Sequence, residues 1–251
     1  MLVIGIGSGQ PEHLTGEAVA ALNSVDVFLV ADKGSAKHDL VALRTALCRS
    51  VIEHGRYRVV EVRDPERESA GGYEAGVRDW HAARAAAYAE VLRTALPDGG
   101  TAGFLAWGDP SLYDSTIRIV ESVADLGVDL ELTVVPGISS VQLLAARHRI
   151  VLNRVGQPVH VTTGRRLVAE YSPRLGDVVV MLDGDLACAG LVDRHPDLVI
   201  YWGAQLGLPD EALVSGRLVD VLEPIRATRN AIREHRGWVM DTYLLRPLRD
   251  E

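Results

Sequence analysis

The 251-residue sequence predicts an α/β protein made of two αβα domains. Short apolar runs rich in β-branched residues alternate with longer amphipathic stretches, a pattern typical of parallel strands connected by helices. Pro136 and Gly137 interrupt this pattern after the fifth predicted strand. We therefore expect one domain over residues 1–136 and a second over residues 137–251, with a ligand-binding cleft between them.

The first domain contains five predicted strands, which we expect to form one sheet covered by helices on both faces. The strands are predicted at residues 2–6, 25–30, 57–62, 103–107 and 130–135. Helical patterns lie between them at residues 14–22, 40–50, 73–96 and 115–125. Residues 63–72 are rich in charge, proline and glycine and predict an exposed loop.

The second domain begins with a predicted helix that continues through Arg147, and either Ser139 or Ser140 is placed to cap it. Strands are predicted at residues 159–162, 178–182, 198–202, 213–220 and 238–245. A helix over residues 224–236 is expected to precede the last strand.

Charge and hydropathy exclude several classes of protein. Lys and Arg number 26 against 34 Asp and Glu, a formal net charge of -8, whereas a nucleic-acid partner normally requires a basic face. The longest apolar runs are far shorter than the roughly 20 residues of a membrane span, and the first residues lack the features of a secretory signal. We expect a cytoplasmic protein without a nucleic-acid or membrane partner. Cys48 and Cys188 stand apart, which predicts buried free thiols and no metal site.

The first predicted strand ends in a glycine-rich loop, GIGSGQ from Gly5 to Gln10. A dinucleotide fingerprint would need glycine where Gln10 stands, and no Gly-Lys-Ser or Gly-Lys-Thr follows to make a P-loop. Small residues still permit tight turns and close approach of the backbone to a ligand. The alternative is a plain turn from strand to helix.

Two further motifs follow predicted strands. Asp109 precedes Pro110 at a strand end, where ligands of α/β sheets commonly bind, and its carboxylate could accept hydrogen bonds from hydroxyls or an amine. Ser139 and Ser140 follow Pro136-Gly137, and their hydroxyls with the first amides of a helix could bind a carboxylate or an adenine edge. The alternatives are that Asp109 and the serines only cap helices.

The chain resembles the tetrapyrrole methylase family in three strings, GIGSGQPEHLT, GDPSLYDST and PGISS, which occur in this order and at these separations. Members of that family are class III S-adenosylmethionine (SAM) methyltransferases. The resemblance covers nearly the whole chain, including Ala31-Asp32-Lys33, MLDG from Met181 and YWGAQ from Tyr201. The family loop commonly reads GPGD, and Ser8 and Gln10 replace its Pro and Asp. Backbone contacts at Ser8 would survive that change.

The resemblance implies two α/β domains with SAM bound in a cleft between them, S-adenosylhomocysteine as a product, no metal, and a homodimer. It also implies SAM contacts at positions spread over both domains, namely Ser8, Gly108, Asp109, Leu112, Ser139, Ser140, Met181, Leu182, Gly203, Ala204 and Thr242.

Longer strings, such as WHAAR from Trp80 and GWVMDTYLLR from Gly237, resemble the members that methylate C1 of precorrin-5 and release acetate, giving precorrin-6A. Methyl transfer depends mainly on alignment, whereas attack of water on an acetyl carbonyl needs oxyanion donors and a proton acceptor. Asp32 or Tyr113 is expected to move protons and Lys33 to hold a substrate carboxylate, with His13 and Asp109 as further candidates.

The implied substrate is an anionic tetrapyrrole, so basic side chains must bind its carboxylates. The candidates are Arg147, His148, Arg149, Arg154, Arg165 and Arg166. Three alternatives remain open at this point: another precorrin or uroporphyrinogen methylase of the same family, a nucleotide-dependent oxidoreductase, and a protein that binds corrin intermediates without turnover.

Overall fold

The computed structural model describes residues 1–32, 38–65 and 73–248. The chain divides into two compact units, Met1–Ser139 and Ser140–Glu251, so the division follows Ser139 where the sequence suggested Pro136. Each unit has its own five-stranded sheet. Among the described residues, no helix is both long enough and apolar enough to cross a bilayer.

The first unit is a parallel sheet with helices between its strands. Its elements in chain order are β1 (Leu2–Gly5), α1 (Gly16–Leu22), β2 (Val27–Asp32), α2 (His38–Val51), β3 (Arg58–Arg63), α3 (Tyr73–Ala95), β4 (Ala102–Ala106), α4 (Thr116–Asp125) and β5 (Thr133–Val135). The strand order is β3-β2-β4-β1-β5, and every neighbouring pair is parallel. The sheet predicted for this half of the sequence is confirmed, although β5 is shorter than expected.

Both faces of this sheet are buried. Side chains alternate along β1, so Val3 packs with Phe104 under α3 and α4, while Ile4 packs with Phe28 under α1 and α2. Cys48 is a buried free thiol in the second of these clusters. Because β4, β1 and β5 are adjacent and parallel, the polar loops that follow them lie side by side at the carboxyl edge of the sheet.

The second unit has a mixed sheet. Its elements are α5 (Ser140–His148), β6 (Val159–Thr163), α6 (Gly164–Glu170), β7 (Asp177–Met181), β8 (Leu198–Ala204), β9 (Ala212–Arg217), α7 (Leu218–Arg236) and β10 (Asp241–Pro247). The order is β6-β7-β10-β8-β9, with only β6 and β7 parallel. The expectation of parallel strands is wrong here: β8 and β9 are joined by a connection too short for a crossover helix, and β10 runs antiparallel to both β7 and β8.

The start of α7 also differs from the prediction. The strand predicted to residue 220 ends at Arg217, and the helix predicted from Pro224 begins at Leu218. Leu218, Leu222 and Ile225 are buried at helical spacing, so this apolar stripe extends the helix through Pro224. The sequence did not predict α6, and it placed the start of β10 three residues too early, at residue 238.

Candidate active site

Three loops touch at the carboxyl edge of the first sheet. The Gly7 amide donates to the Gly108 carbonyl oxygen at 3.2 Å, and the Gly108 amide donates to the Gly7 carbonyl oxygen at 2.8 Å. The Gly137 amide donates to Oδ2 of Asp109 at 2.9 Å. Gly7, Gly108 and Gly137, one from each sequence motif, are therefore brought together within the first unit, because β4, β1 and β5 are neighbours.

Glycine is required where these loops cross. A Cβ atom on Gly137 would lie 2.1 Å from the carbonyl oxygen of Gly108 and 2.8 Å from the carbonyl carbon of Gly5. A Cβ atom on Gly5 would lie 2.6 Å from the Gly137 nitrogen. Because distances this short are clashes, the three backbones can approach this closely only where Gly5 and Gly137 carry no side chain.

Asp109 is fixed as an anion between two of these loops. Its Oδ1 accepts the Ser111 amide at 2.8 Å and the Ser111 hydroxyl, while among the residues that the structure describes Oδ2 accepts only the Gly137 amide. Burial raises the pKa of Asp109, but the hydrogen bonds from the Ser111 hydroxyl, the Gly137 amide and the Ser111 amide hold it below its ordinary value. A carboxylate offers about four acceptor sites, so one remains for a ligand. Asp109 does not cap α4, which begins at Thr116.

Ser8 and His13 form a hydrogen-bonded pair in the first loop. Ser8 is buried, with 9% of its surface exposed, and its Oγ lies 2.6 Å from Nδ1 of His13. Gly7 and Gly9 on either side have φ of 58° and 84°, values that favour glycine. The sequence singled out both residues but gave no indication that their side chains would meet.

Of the three residues predicted to transfer protons or bind substrate, the structure describes Tyr113 fully, Asp32 in its backbone only and Lys33 not at all. Tyr113 is 47% exposed and has φ of 53°, an uncommon conformation for a residue other than glycine, in the loop that also carries Asp109. Asp32 is the last residue of β2, so its backbone lies at the carboxyl edge of the sheet. The Asp32 side chain and all of Lys33 lie outside the described residues.

The predicted SAM contacts of the second unit converge as well. Thr242 in β10 stands opposite Gly203 in β8, and its Oγ1 lies 2.9 Å from Oγ of Ser140. Val180 is opposite Tyr243, so the next residue of β7, Met181, reaches the same end of the sheet as Thr242. Met181, Thr242 and Gly203 thus occupy three adjacent strands, and Ala204 follows Gly203 opposite Asp241.

The loop after Met181 is held by a buried polar network. Leu182, with 66% of its surface exposed, and Leu186 both have positive φ, 52° and 57°. Inside the loop, Oδ2 of Asp183 accepts the Tyr243 hydroxyl at 2.5 Å, and Nη2 of Arg229 donates to the carbonyl oxygens of Asp183 at 2.6 Å and of Gly184 at 2.9 Å.

Sequence reasoning missed this network. The one available signal was an arginine that continues the buried stripe of α7, since a charged residue on such a face must have a partner.

Several basic residues predicted to bind substrate already form ion pairs in the second unit. Nε of Arg147 donates to both carboxylate oxygens of Glu211 at 2.8 and 2.9 Å, and Nε of Arg166 donates to Glu170 at 2.6 Å. Nε of Arg154 lies 3.7 Å from Oδ1 of Asp177. These pairs partly neutralise the positive charge that was expected to attract an anionic substrate.

Known proteins share both the sequence and the fold of this chain. Residues 1–222 match the family model described as Tetrapyrrole (Corrin/Porphyrin) Methylases. The chain belongs to this family and is a SAM-dependent methyltransferase. Family membership replaces the alternative of a nucleotide-dependent oxidoreductase.

Individual relatives are similar over nearly their whole length. The chain is 48% identical to a precorrin-6A synthase (deacetylating) from a Sinorhizobium species, over 98% of this chain and 94% of that protein. A solved structure of a putative cobalamin synthesis related protein (CobF) from Corynebacterium diphtheriae has a TM-score of 0.84 at 38% identity, covering 99% of this chain and 98% of that one.

A more distant solved structure shares the fold. The uroporphyrin-III C-methyl transferase of Thermus thermophilus, complexed with S-adenosylhomocysteine, has a TM-score of 0.58 at 20% identity and covers 97% of this chain and 95% of its own.

Proposed function

We propose that this protein is a C-methyltransferase of cobalamin biosynthesis that methylates C1 of precorrin-5 with release of acetate, giving precorrin-6A. The observation that carries the proposal is the 48% identity, over nearly the full length of both chains, with the Sinorhizobium precorrin-6A synthase (deacetylating). The likeness to the Corynebacterium structure at 38% identity supports it.

The donors and acceptors of the first unit fit SAM. When bound, SAM supplies an electrophilic methyl group on a sulfonium cation. Asp109 keeps a negative charge, because its pKa is lowered, and one free acceptor site, which suits the amine or a hydroxyl of that ligand. We propose that SAM is bound through the backbone of Ser8 and through Gly108, Asp109, Leu112, Ser139, Ser140, Met181, Leu182, Gly203, Ala204 and Thr242, with no metal.

The groups proposed for proton movement are Asp32 and Tyr113, with Lys33 holding a substrate carboxylate. Tyr113 shares a loop with Asp109, and its half-exposed ring supports this role. A substitution at any of the three that changes the acetate released per methyl group transferred supports the assignment. An unchanged ratio in all three variants would contradict it.

The proposal also includes the cellular setting. The substrate is an anionic tetrapyrrole, and the enzyme is a homodimer that acts in the cytoplasm without nucleic-acid or membrane partners. The acidic composition supports the expectation that nucleic acid is not a partner.

The test is turnover of precorrin-5 with SAM by the purified protein. We expect equal amounts of acetate and S-adenosylhomocysteine, and precorrin-6A by mass spectrometry. Precorrin-2 and cobalt-precorrin-4, named as substrates of relatives at 27% and 23% identity, are the comparison substrates. Turnover of these in place of precorrin-5 would favour another member of the family, and binding without turnover would favour a corrin-binding protein.

Substitution of the proposed carboxylate-binding arginines by alanine should raise the substrate KM. We expect an increase of about tenfold for at least one of Arg154, Arg165 and Arg166, because one charge-assisted hydrogen bond to the substrate would be lost. SAM affinity should stay unchanged. Arg174→Ala, at another exposed arginine of the second unit, is the matched control. Normal kinetics in all three variants would contradict the assignment.

A further inference from the structure

The Ser8 hydroxyl and the His13 imidazole form a hydrogen-bonded side-chain pair in the candidate active site. The loop holds the two side chains firmly. A Cβ atom on Gly7 would lie 2.7 Å from the His13 carbonyl oxygen and 2.9 Å from the His13 Cβ, so His13 packs directly on Gly7. A Cβ atom on Gly9 would lie 2.6 Å from the Trp107 ring. The Ser8 hydroxyl is thus fixed against the imidazole between two positions that must be glycine.

A distance of 2.6 Å is short enough for direct proton transfer from a serine hydroxyl to an imidazole nitrogen, which is how serine is activated as a nucleophile. We propose that Ser8 is an acyl-accepting nucleophile with His13 as its general base, and that this pair removes the acetyl group from the substrate. The proposal rests on the proposed function, since it assigns residues to the deacetylation.

The surroundings of Ser8 suit this chemistry. In residues 1–32, 38–65 and 73–248, the amide of Gln10 donates to no other protein group, so it remains available to an oxyanion. The neighbouring Gly9 amide is used, because it donates to the Ile6 carbonyl oxygen at 2.9 Å. The near burial of Ser8 also shields a covalent intermediate from bulk solvent.

The reaction balances without any further reactant. The Ser8 Oγ attacks the acetyl carbonyl carbon as its proton passes to Nδ1 of His13. The carbon–carbon bond to the macrocycle then breaks, and its electron pair enters the conjugated ring, where a proton or the methyl group takes it up. His13 then releases the proton that it took from Ser8 and accepts one from a water molecule. The activated water hydrolyses the acetyl-serine to acetate, and the Ser8 oxygen takes back a proton from His13, which restores the hydroxyl.

The experiment uses p-nitrophenyl acetate as an acetyl donor, which requires neither precorrin-5 nor SAM. We expect release of p-nitrophenol and an acetyl group on the peptide that contains Ser8, detected by mass spectrometry. Ser8→Ala and His13→Gln should each lower the rate at least about 100-fold, the usual contribution of such a base. Ser8→Cys should retain acetylation at position 8, because the thiol is also a nucleophile.

The matched controls are Ser24→Ala and His235→Gln, which change exposed residues elsewhere and should leave the rate unchanged. A wild-type rate in Ser8→Ala would overturn Ser8 as the nucleophile. A rate that falls in His13→Gln but not in Ser8→Ala would do the same. Acetylation of Ser8 in a protein that does not convert precorrin-5 would leave the pair standing and remove the proposed function. Conversion of precorrin-5 to precorrin-6A by Ser8→Ala, with wild-type acetate release, would contradict the role of the pair and leave the proposed function standing.

Discussion

Gly137→Ala is expected to lower SAM affinity at least about 100-fold, equivalent to about 3 kcal/mol. The new methyl group would stand 2.1 Å from the carbonyl oxygen of Gly108, a backbone atom that cannot move aside as a flexible side chain could. Relieving that clash separates the third loop from the other two and removes the Gly137 amide from Asp109. Titration calorimetry with SAM measures the loss directly.

The matched control is Gly16→Ala. Gly16 is the first residue of α1, and a Cβ atom there would contact nothing within 4 Å. This variant should bind SAM normally, which separates the effect of loop contact from the general effect of replacing glycine. Wild-type affinity in a folded Gly137→Ala protein would show that contact between the loops is not needed for SAM binding.

The carboxyl edge of the first sheet was largely predictable because its signals are local. Each of β1, β4 and β5 is a short strand with Gly or Pro at its end or within two residues after it, and each motif begins there. The strand order was not predictable from such patterns, since it depends on which strands pair across long separations. The contact of Gly137 with Gly108 therefore appears only in the folded chain.

The second unit was less predictable for related reasons. The strand β10 comes last in the chain but lies between β7 and β8, so its pairing partners are set by tertiary packing and not by sequence neighbours. Pro224 suggested a helix start, but the burial of Leu218 and Leu222 outweighs the hydrogen bond that a proline removes. Likewise, nothing local indicated that Asp183 would accept the hydroxyl of Tyr243.

The buried ion pair between Arg229 and Asp241 carries the second large prediction. Nε of Arg229 donates to Oδ2 of Asp241 at 2.9 Å, and the Trp202 indole donates to the same oxygen at 3.0 Å. The two side chains are 7% and 3% exposed. Arg229→Met should destabilise the second unit by about 3–5 kcal/mol, because it leaves a buried carboxylate without its counter-charge. Hydrogen exchange at amides of β8 and β10 measures this loss.

Arg226→Met is the matched control on the same helix. Arg226 is 48% exposed and pairs with Glu223, an arrangement that contributes at most about 1 kcal/mol. The double variant Arg229→Met with Asp241→Asn should recover much of the lost stability, because an uncharged amide replaces the orphaned carboxylate and its oxygen can still accept the Trp202 indole.

The loss in Arg229→Met should also depend on pH. Burial raises the pKa of Asp241, and Arg229 opposes that rise by its charge and its hydrogen bond. Without Arg229 the pKa of Asp241 in the folded state rises further above that in the unfolded state, so the folded variant gains stability by taking up a proton as the pH falls. The difference from wild type should therefore shrink as the pH is lowered from the mildly alkaline to the mildly acidic range. A loss that stayed constant over this range would mean that it arises from packing around the Asp183 and Gly184 carbonyls, which Arg229 also binds, and not from the charge of Asp241.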